Sequence, residues 1–301
     1  MIPGDETFDG TWPYAPHFSD APGFPMHYVD EGTGEPIVCL HGEPTWGYLY
    51  RHFIPALSKT HRVLVLDHMG FGKSATPRDR IYTLKTHVEN LTSLIDALDL
   101  RDITFVGQDW GGPMAAAYTI RHPDRVKRLC LLNTLLGYGR VRQEGLTPWF
   151  EWVKAHHEAG TLHEVLGNLS TTVLSVMKIL GFQNSAVVND TWIRAYAAPF
   201  ATRDECIGAI EFPLDALLRR IVPYVKEGFS GVEHLTTKPA MLVVGLHDHA
   251  IAPEQQVADF RALFPSGPVV TLPDAGHFCQ EDAPGTIVAL IQQFLQVTRS
   301  A

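Results

Sequence analysis

Short, nearly continuous apolar runs alternate with segments of helical periodicity along most of the chain. The runs fall at 36–40, 62–66, 103–106, 128–132 and 241–244. They are dense in Val, Ile and Leu, as strands buried on both faces are, and so predict a mostly parallel sheet covered by helices. A run at 26–29 reads as an earlier, antiparallel strand. The segment 268–272 reads as a late strand and 283–298 as a closing helix.

The pattern changes between residues 136 and 222. Strand-like runs vanish and helices with N-terminal caps follow one another. Thr147-Pro148 marks a helix start with Pro in the first turn. Thr161-Leu162-His163-Glu164 and Thr202-Arg203-Asp204-Glu205 both read as capping boxes. Trp149, Trp152, Val153 and His156 share one helical face. The block 136–222 is therefore expected to be an all-helical cap domain, inserted into an α/β core domain made of 1–135 and 223–301. It begins after Asn133-Thr134, at the C-terminal end of a strand, where open α/β sheets place their sites.

Composition suits a globular enzyme: 301 residues, 45% hydrophobic and 19% charged. A net charge of −9 without a long basic run gives no reason to expect nucleic acid or an anionic membrane as partner. No apolar run is long enough to span a bilayer. The first six residues lack the basic and apolar parts of a secretory signal. Cys39, Cys130, Cys206 and Cys279 are widely spaced with no C-x-x-C pair, so reduced thiols and a cytoplasmic setting are expected. Monomer is the default, with a cap-mediated dimer left open.

The sharpest chemical signal is Gly107-Gln108-Asp109-Trp110-Gly111. An apolar run leads into it, and a small-residue segment from Gly112 to Tyr118 leads out. This is the strand–turn–helix shape of a nucleophile elbow, usually G-x-S-x-G, with Asp109 in place of Ser. A carboxylate is already ionised at neutral pH and needs no base to attack an sp³ carbon. The swap points away from esterases and towards displacement at an alkyl carbon, with a covalent ester on Asp109.

Two further segments complete a constellation. Ala275-Gly276-His277-Phe278 follows the late strand and puts His277 last in the nucleophile–acid–histidine order of such folds. Gly245-Leu246-His247-Asp248-His249 follows the strand at 241–244, and places Asp248 to accept from His277 Nδ1–H. Asn133, after an earlier strand, is an amide and cannot be the acid. The scheme is displacement by Asp109, then attack on its ester by water that His277 deprotonates. The oxyanion would be held by the backbone N–H groups of Trp110 and Glu43. The Trp110 indole N–H is a donor suited to a departing halide.

His41-Gly42-Glu43-Pro44-Thr45-Trp46, Tyr48-Leu49-Tyr50-Arg51, Gly70-Phe71-Gly72-Lys73-Ser74 and Gln108-Asp109-Trp110-Gly111-Gly112 together resemble the haloalkane dehalogenases. The resemblance runs from Tyr28 to the final helix and includes Ala195-Tyr196-Ala197-Ala198-Pro199-Phe200. It implies an α/β-hydrolase fold: a mostly parallel eight-stranded sheet flanked by helices, with an inserted helical cap. It also implies a small apolar halogenated substrate, water as co-substrate, and a second halide donor beside Trp110. Many relatives have Asn at position 43; those with Glu tend to use a cap tryptophan. An ionised Glu43 would repel halide, so it is expected to hold the hydrolytic water or touch the cap. The stretch 177–184 contains no Trp, which leaves Trp149, Trp152 and Trp192 as candidate second donors.

Two other functions stay open at this level. Epoxide hydrolysis by the same Asp–His–Asp set would need two cap tyrosines, from Tyr138, Tyr196 and Tyr224, converging on Asp109. A ligand-binding protein on a dead hydrolase scaffold would normally have lost a triad member. His247 and His249 lack an evident third ligand, so no metal is expected. Gly70–Ser74 lacks the spacing of a phosphate loop, and no cofactor motif is found.

Overall fold

A computed structural model of the chain describes residues 2–139 and 145–299. One eight-stranded sheet organises it: β1 (His17–Ser19), β2 (Met26–Glu31), β3 (Pro36–Leu40), β4 (Arg62–Leu66), β5 (Ile103–Gln108), β6 (Val126–Leu132), β7 (Ala240–His247) and β8 (Val269–Gly276). The spatial order is β1-β2-β4-β3-β5-β6-β7-β8. β1 pairs with β2, and β2 with β4, antiparallel. All other pairs are parallel. This is the α/β-hydrolase arrangement.

Every run expected to be a strand is one, and the closing helix spans Pro284–Val297. β1 was not signalled, because it is short and two of its three residues are exposed. β3 and β5 are buried at every position. The Gly111–Arg121 helix packs on β3, β5 and β6, and the Pro253–Leu263 helix on β7. Burial on both faces explains why these strands read as unbroken apolar runs.

All described elements between β6 and β7 are helical. The helix Pro148–Glu158 starts with Thr147 accepting from Phe150 N–H. Thr202 and Glu205 form the expected capping box, on the short helix Arg203–Cys206. The second expected box does not form. Thr161 has helical backbone angles and makes no side-chain cap. Its hydroxyl is instead taken by His156 Nδ1 at 2.8 Å, across the turn that ends the preceding helix. The turn Gly70–Ser74 wraps the Asp67 carboxylate, which accepts from Lys73 N–H at 2.8 Å. It is a structural turn around a protein anion. After residue 222, the helices Val222–Gly228 and Val232–Thr236 pack against the Gly111–Arg121 helix.

The inserted helices dock on the sheet through two adjacent acids, Glu281 and Asp282, just past β8. Glu281 is fully buried and binds Arg51 with both oxygens. It also accepts from Tyr196 Oη and, at 3.2 Å, from Trp192 Nε1, both on the inserted helix Asp190–Ala197. Asp282 accepts from the backbone N–H groups of Gln183 at 3.1 Å and Asn184 at 2.7 Å. Its other oxygen accepts from Gly276 N–H at 2.8 Å. Trp46 Nε1 adds a bond to the Ala195 carbonyl at 2.8 Å.

Glu281→Ala would leave a buried guanidinium, a phenol and an indole without their acceptor. Breaking a buried ion pair this way costs about 3–5 kcal/mol. Urea unfolding should show a loss of that order. A loss under about 1 kcal/mol, the range of an exposed pair, would show that this cluster does not hold the helices to the sheet.

Candidate active site

The site lies at the carboxyl ends of the parallel strands, where the topology lines up four loops. β5 delivers Asp109, β6 Asn133, β7 Asp248 and β8 His277. The loop after β3, next to β5, delivers Glu43. Asp109 sits in the left-handed region with φ 51°, strain of about 1–3 kcal/mol for a non-glycine residue. Two glycines make the crossing fit. A Cβ on Gly111 would lie 2.2 Å from the Leu40 carbonyl oxygen, and one on Gly42 would lie 2.1 Å from Asp109 Oδ1.

That contact brings the Asp109 carboxylate onto backbone donors. Its Oδ1 accepts from Glu43 N–H at 2.9 Å, and the Trp110 N–H also bonds the carboxylate. Oδ2 lies 3.6 Å from His277 Nε2. Burial raises the Asp109 pKa; His277 and the two N–H donors pull it down, and the balance remains somewhat above the ordinary value.

His277 is buried and held on both ring nitrogens. Nδ1 lies 3.0 Å from Asp248 Oδ2. Nε2 lies 3.1 Å from Gln108 Nε2. The same amide nitrogen donates to the His277 carbonyl at 3.1 Å, which fixes the amide's orientation. The ring therefore carries its proton on Nδ1 and a lone pair on Nε2. Burial alone would lower the His277 pKa, but Asp248 and then Asp109 outweigh it and raise it above 6.5.

Asp248 is anchored by four donors besides the histidine. Oδ1 accepts from the N–H groups of Ala250 and Ile251, each at 2.9 Å. Oδ2 accepts from Gln256 Nε2 at 2.7 Å and from Asn133 Nδ2 at 2.9 Å. Asn133 is itself clamped, its Oδ1 taking Gly245 N–H at 2.9 Å. So Asn133, where an acid could have stood, serves as a donor that orients the acid on the neighbouring strand. Sequence reading missed the parts played by Gln108, Asn133 and Gln256. Position beside the nucleophile was the one signal for Gln108; nothing local marks Gln256.

A cavity of about 620 Å³ opens above Asp109. Its walls are largely apolar, with Leu135, Trp149, Phe150, Leu180 and Pro213 among them, and Trp110 and Glu43 line it together with Asp109. Trp110 stacks on Phe212 at 4.7 Å and 10°.

The comparisons with known proteins agree with the fold. A family model described as the α/β hydrolase fold matches residues 35–164. A protein named haloalkane dehalogenase 2, from Mycobacterium tuberculosis, is 33% identical over 93% of this chain and 94% of its own length. The chain belongs to the haloalkane dehalogenase family. A Shewanella oneidensis relative, 30% identical over 97% of this chain and 92% of its own, is named cis-3-alkyl-4-alkyloxetan-2-one decarboxylase. The solved structure of a haloalkane dehalogenase from Paraglaciecola agarilytica superposes with a TM-score of 0.77 at 29% identity, covering 93% of this chain and 92% of that one.

Among the tryptophans considered as second donors in this family member, only Trp149 lines the cavity. Trp152 stacks behind it at 5.2 Å. Trp192 is ruled out by its partners: it stacks on Phe182, and its N–H is given to Glu281. Burial, and then the charge of Asp109, push the Glu43 pKa well above the ordinary carboxylate value. The cap tyrosines do not converge on Asp109. Tyr196 serves Glu281, Tyr224 lies 3.9 Å under the Arg121 guanidinium, and Tyr138 packs on Phe229. None of the three lines the cavity.

Gly42→Ala tests the close approach at Asp109. The added methyl must displace the carboxylate from its donors, and losing one such donor costs about 10²–10³ in turnover. Far-ultraviolet circular dichroism should be unchanged. Turnover within about tenfold of the parent would mean that the Gly42–Asp109 contact is not needed.

Proposed function

We propose that this protein hydrolyses haloalkanes to the primary alcohol, halide and a proton, through a covalent alkyl ester on Asp109. The observation that carries this reading is the state of the Asp109 carboxylate on the floor of an apolar cavity. Oδ1 accepts from the Glu43 backbone N–H, and Oδ2 lies 3.6 Å from His277 Nε2.

In this reading Oδ2 attacks the substrate carbon opposite the carbon–halogen bond, and the bonding pair leaves with the halide. The dry cavity gives the halide little solvation, so the Trp110 indole N–H stabilises it. Alkylation removes the charge of Asp109, and with it one of the causes that raise the His277 pKa. The imidazole is then better able to stay neutral and act as base. It takes a proton from water, which attacks Cγ of Asp109. Negative charge grows on Oδ1, already bound by the Glu43 N–H, with the Trp110 N–H also at the carboxylate. Collapse releases the alcohol. Asp248 stabilises the imidazolium until its proton leaves.

The block 136–222 serves in this scheme as the cap that closes the cavity. Among the described residues no helix is long and apolar enough to cross a membrane. The four buried, unpaired cysteines fit a cytoplasmic enzyme. Epoxide hydrolysis by paired cap tyrosines is the weaker reading, since none of Tyr138, Tyr196 and Tyr224 lines the cavity.

Bromide and proton release from terminal bromoalkanes and a dibromoalkane is the direct test. The parent should release both, and Asp109→Ala neither; turnover by that variant would sink the scheme. His277→Phe should release a single burst of bromide and carry the alkyl group on Asp109, visible by mass spectrometry. Bromide released catalytically by this variant would remove His277 from ester hydrolysis. No release by folded parent protein would turn the search to the four-membered cyclic ester in the name of the Shewanella relative.

The histidine also sets a pH dependence. Its neutral form is required, and its pKa is raised above 6.5. Steady-state turnover should fall as pH drops through that raised value, while the bromide burst persists. A burst and a steady rate that fall together would contradict a role confined to ester hydrolysis.

A further inference from the structure

Two carboxyl residues, Asp109 and Glu43, line the cavity together, and their surroundings are opposite. Asp109 has two backbone donors and a histidine. Glu43 has no ion pair among the described residues, and its Oε1 is buried without a hydrogen-bond partner. The Glu43 residue is 4% exposed, and that remainder faces the cavity. Two adjacent carboxylates do not both stay ionised in such a place, so the proton resides on the one without donors. Glu43 and Trp110 are also the two residues whose N–H groups bind the Asp109 carboxylate. Both therefore present their side chains to the cavity next to the reacting carbon.

We infer that Glu43 is the proton donor of a second activity at this site, the hydrolytic opening of small strained cyclic ethers such as terminal epoxides. The inference rests on the Asp109–His277 reading above and adds a leaving group to it. Halide departs as a weak base and needs only hydrogen bonds. A ring oxygen departs as a strongly basic alkoxide and needs a proton, which an indole N–H does not release. A neutral carboxylic acid supplies one.

The step balances with groups on hand. Asp109 Oδ2 bonds to the ring carbon. The carbon–oxygen bond breaks, and its electron pair goes to the ring oxygen, which takes the Glu43 proton. The products are a hydroxyalkyl ester on Asp109 and a Glu43 carboxylate. His277 then deprotonates water, which opens the ester at Cγ. The carboxyl proton passes to the departing alkoxide, leaving a diol and the Asp109 carboxylate. The imidazolium proton returns to Glu43 through water, so the sum is epoxide plus water to diol. No cap tyrosine is required, in keeping with their absence from the cavity wall.

The test compares one terminal epoxide with one bromoalkane of the same length, in the parent and in Glu43→Gln. The amide keeps the shape and a hydrogen-bond donor but cannot transfer a proton. The ratio of epoxide to bromoalkane kcat/KM should fall by about 10²-fold or more in the variant, the usual worth of a general acid. Infrared difference spectra of the resting protein at neutral pH should show a protonated-carboxyl carbonyl stretch that Glu43→Gln removes. Bromide release by the parent with the epoxide untouched overturns this inference and leaves the dehalogenation reading standing. An unchanged ratio in Glu43→Gln, or no infrared band lost with that side chain, overturns it as well. Inactivity of the parent towards both substrates overturns the reading on which it rests, and this one with it.

Discussion

The Asp109 carboxylate can occupy its place only because the chain on the neighbouring strand has no side chain at Gly42. That absence lets β5 and the loop after β3 come together closely enough for a backbone N–H to reach Oδ1 at 2.9 Å. The rest of the site depends on this contact. It makes the two carboxylate oxygens unlike: Oδ1 accepts from the Glu43 N–H, and Oδ2 lies 3.6 Å from His277 Nε2. It also supplies, in advance, the donors that a tetrahedral intermediate at Cγ would need, so no reorganisation is required when charge develops there.

Buried acids are expensive unless something binds their charge, and four carboxyl groups here differ sharply in their donors. Asp248 has four donors besides His277. Glu281 has a guanidinium, a phenol and an indole. Asp109 has backbone N–H groups and His277. Glu43 Oε1 has no partner among the described residues. Four carboxyl groups of nearly identical intrinsic chemistry thus sit in four different surroundings. Gln108 adds the complementary constraint on the histidine, leaving its Nε2 with a lone pair.

The inserted helices are coupled to the same machinery through the turn after β8. His277, Glu281 and Asp282 lie within six residues of one another. Asp282 binds both the Gly276 N–H before the histidine and the backbone at Gln183 and Asn184. Docking of the helices and placement of the base therefore share one short segment. The cavity walls come from both sides of that junction: Trp110 and Leu135 from the sheet side, Trp149, Phe150 and Leu180 from the inserted helices.

The strands and the elbow were legible in the sequence because their signals are local. A strand buried on both faces must be apolar throughout. A nucleophile on a sharp turn must be surrounded by glycines and small residues. Asp109, His277 and Asp248 each follow directly on a strand, so their positions could be read one loop at a time. Glu43 was legible as a residue, but its raised pKa was not, because burial and Asp109, 66 positions away, cause it. The role of Asn133 needed the neighbouring strand, and that of Gln256 needed a helix end folded back onto Asp248. Trp192 resembled a halide donor until its partner, 89 positions distant, was placed. The Thr161 box failed for a nearer reason, since His156 competed for the same hydroxyl. The sequence by itself determined which chemical groups stand at the strand ends; tertiary structure alone decided which of them are charged, oriented and open to the cavity, because each of those properties depends on neighbours that chain distance does not specify.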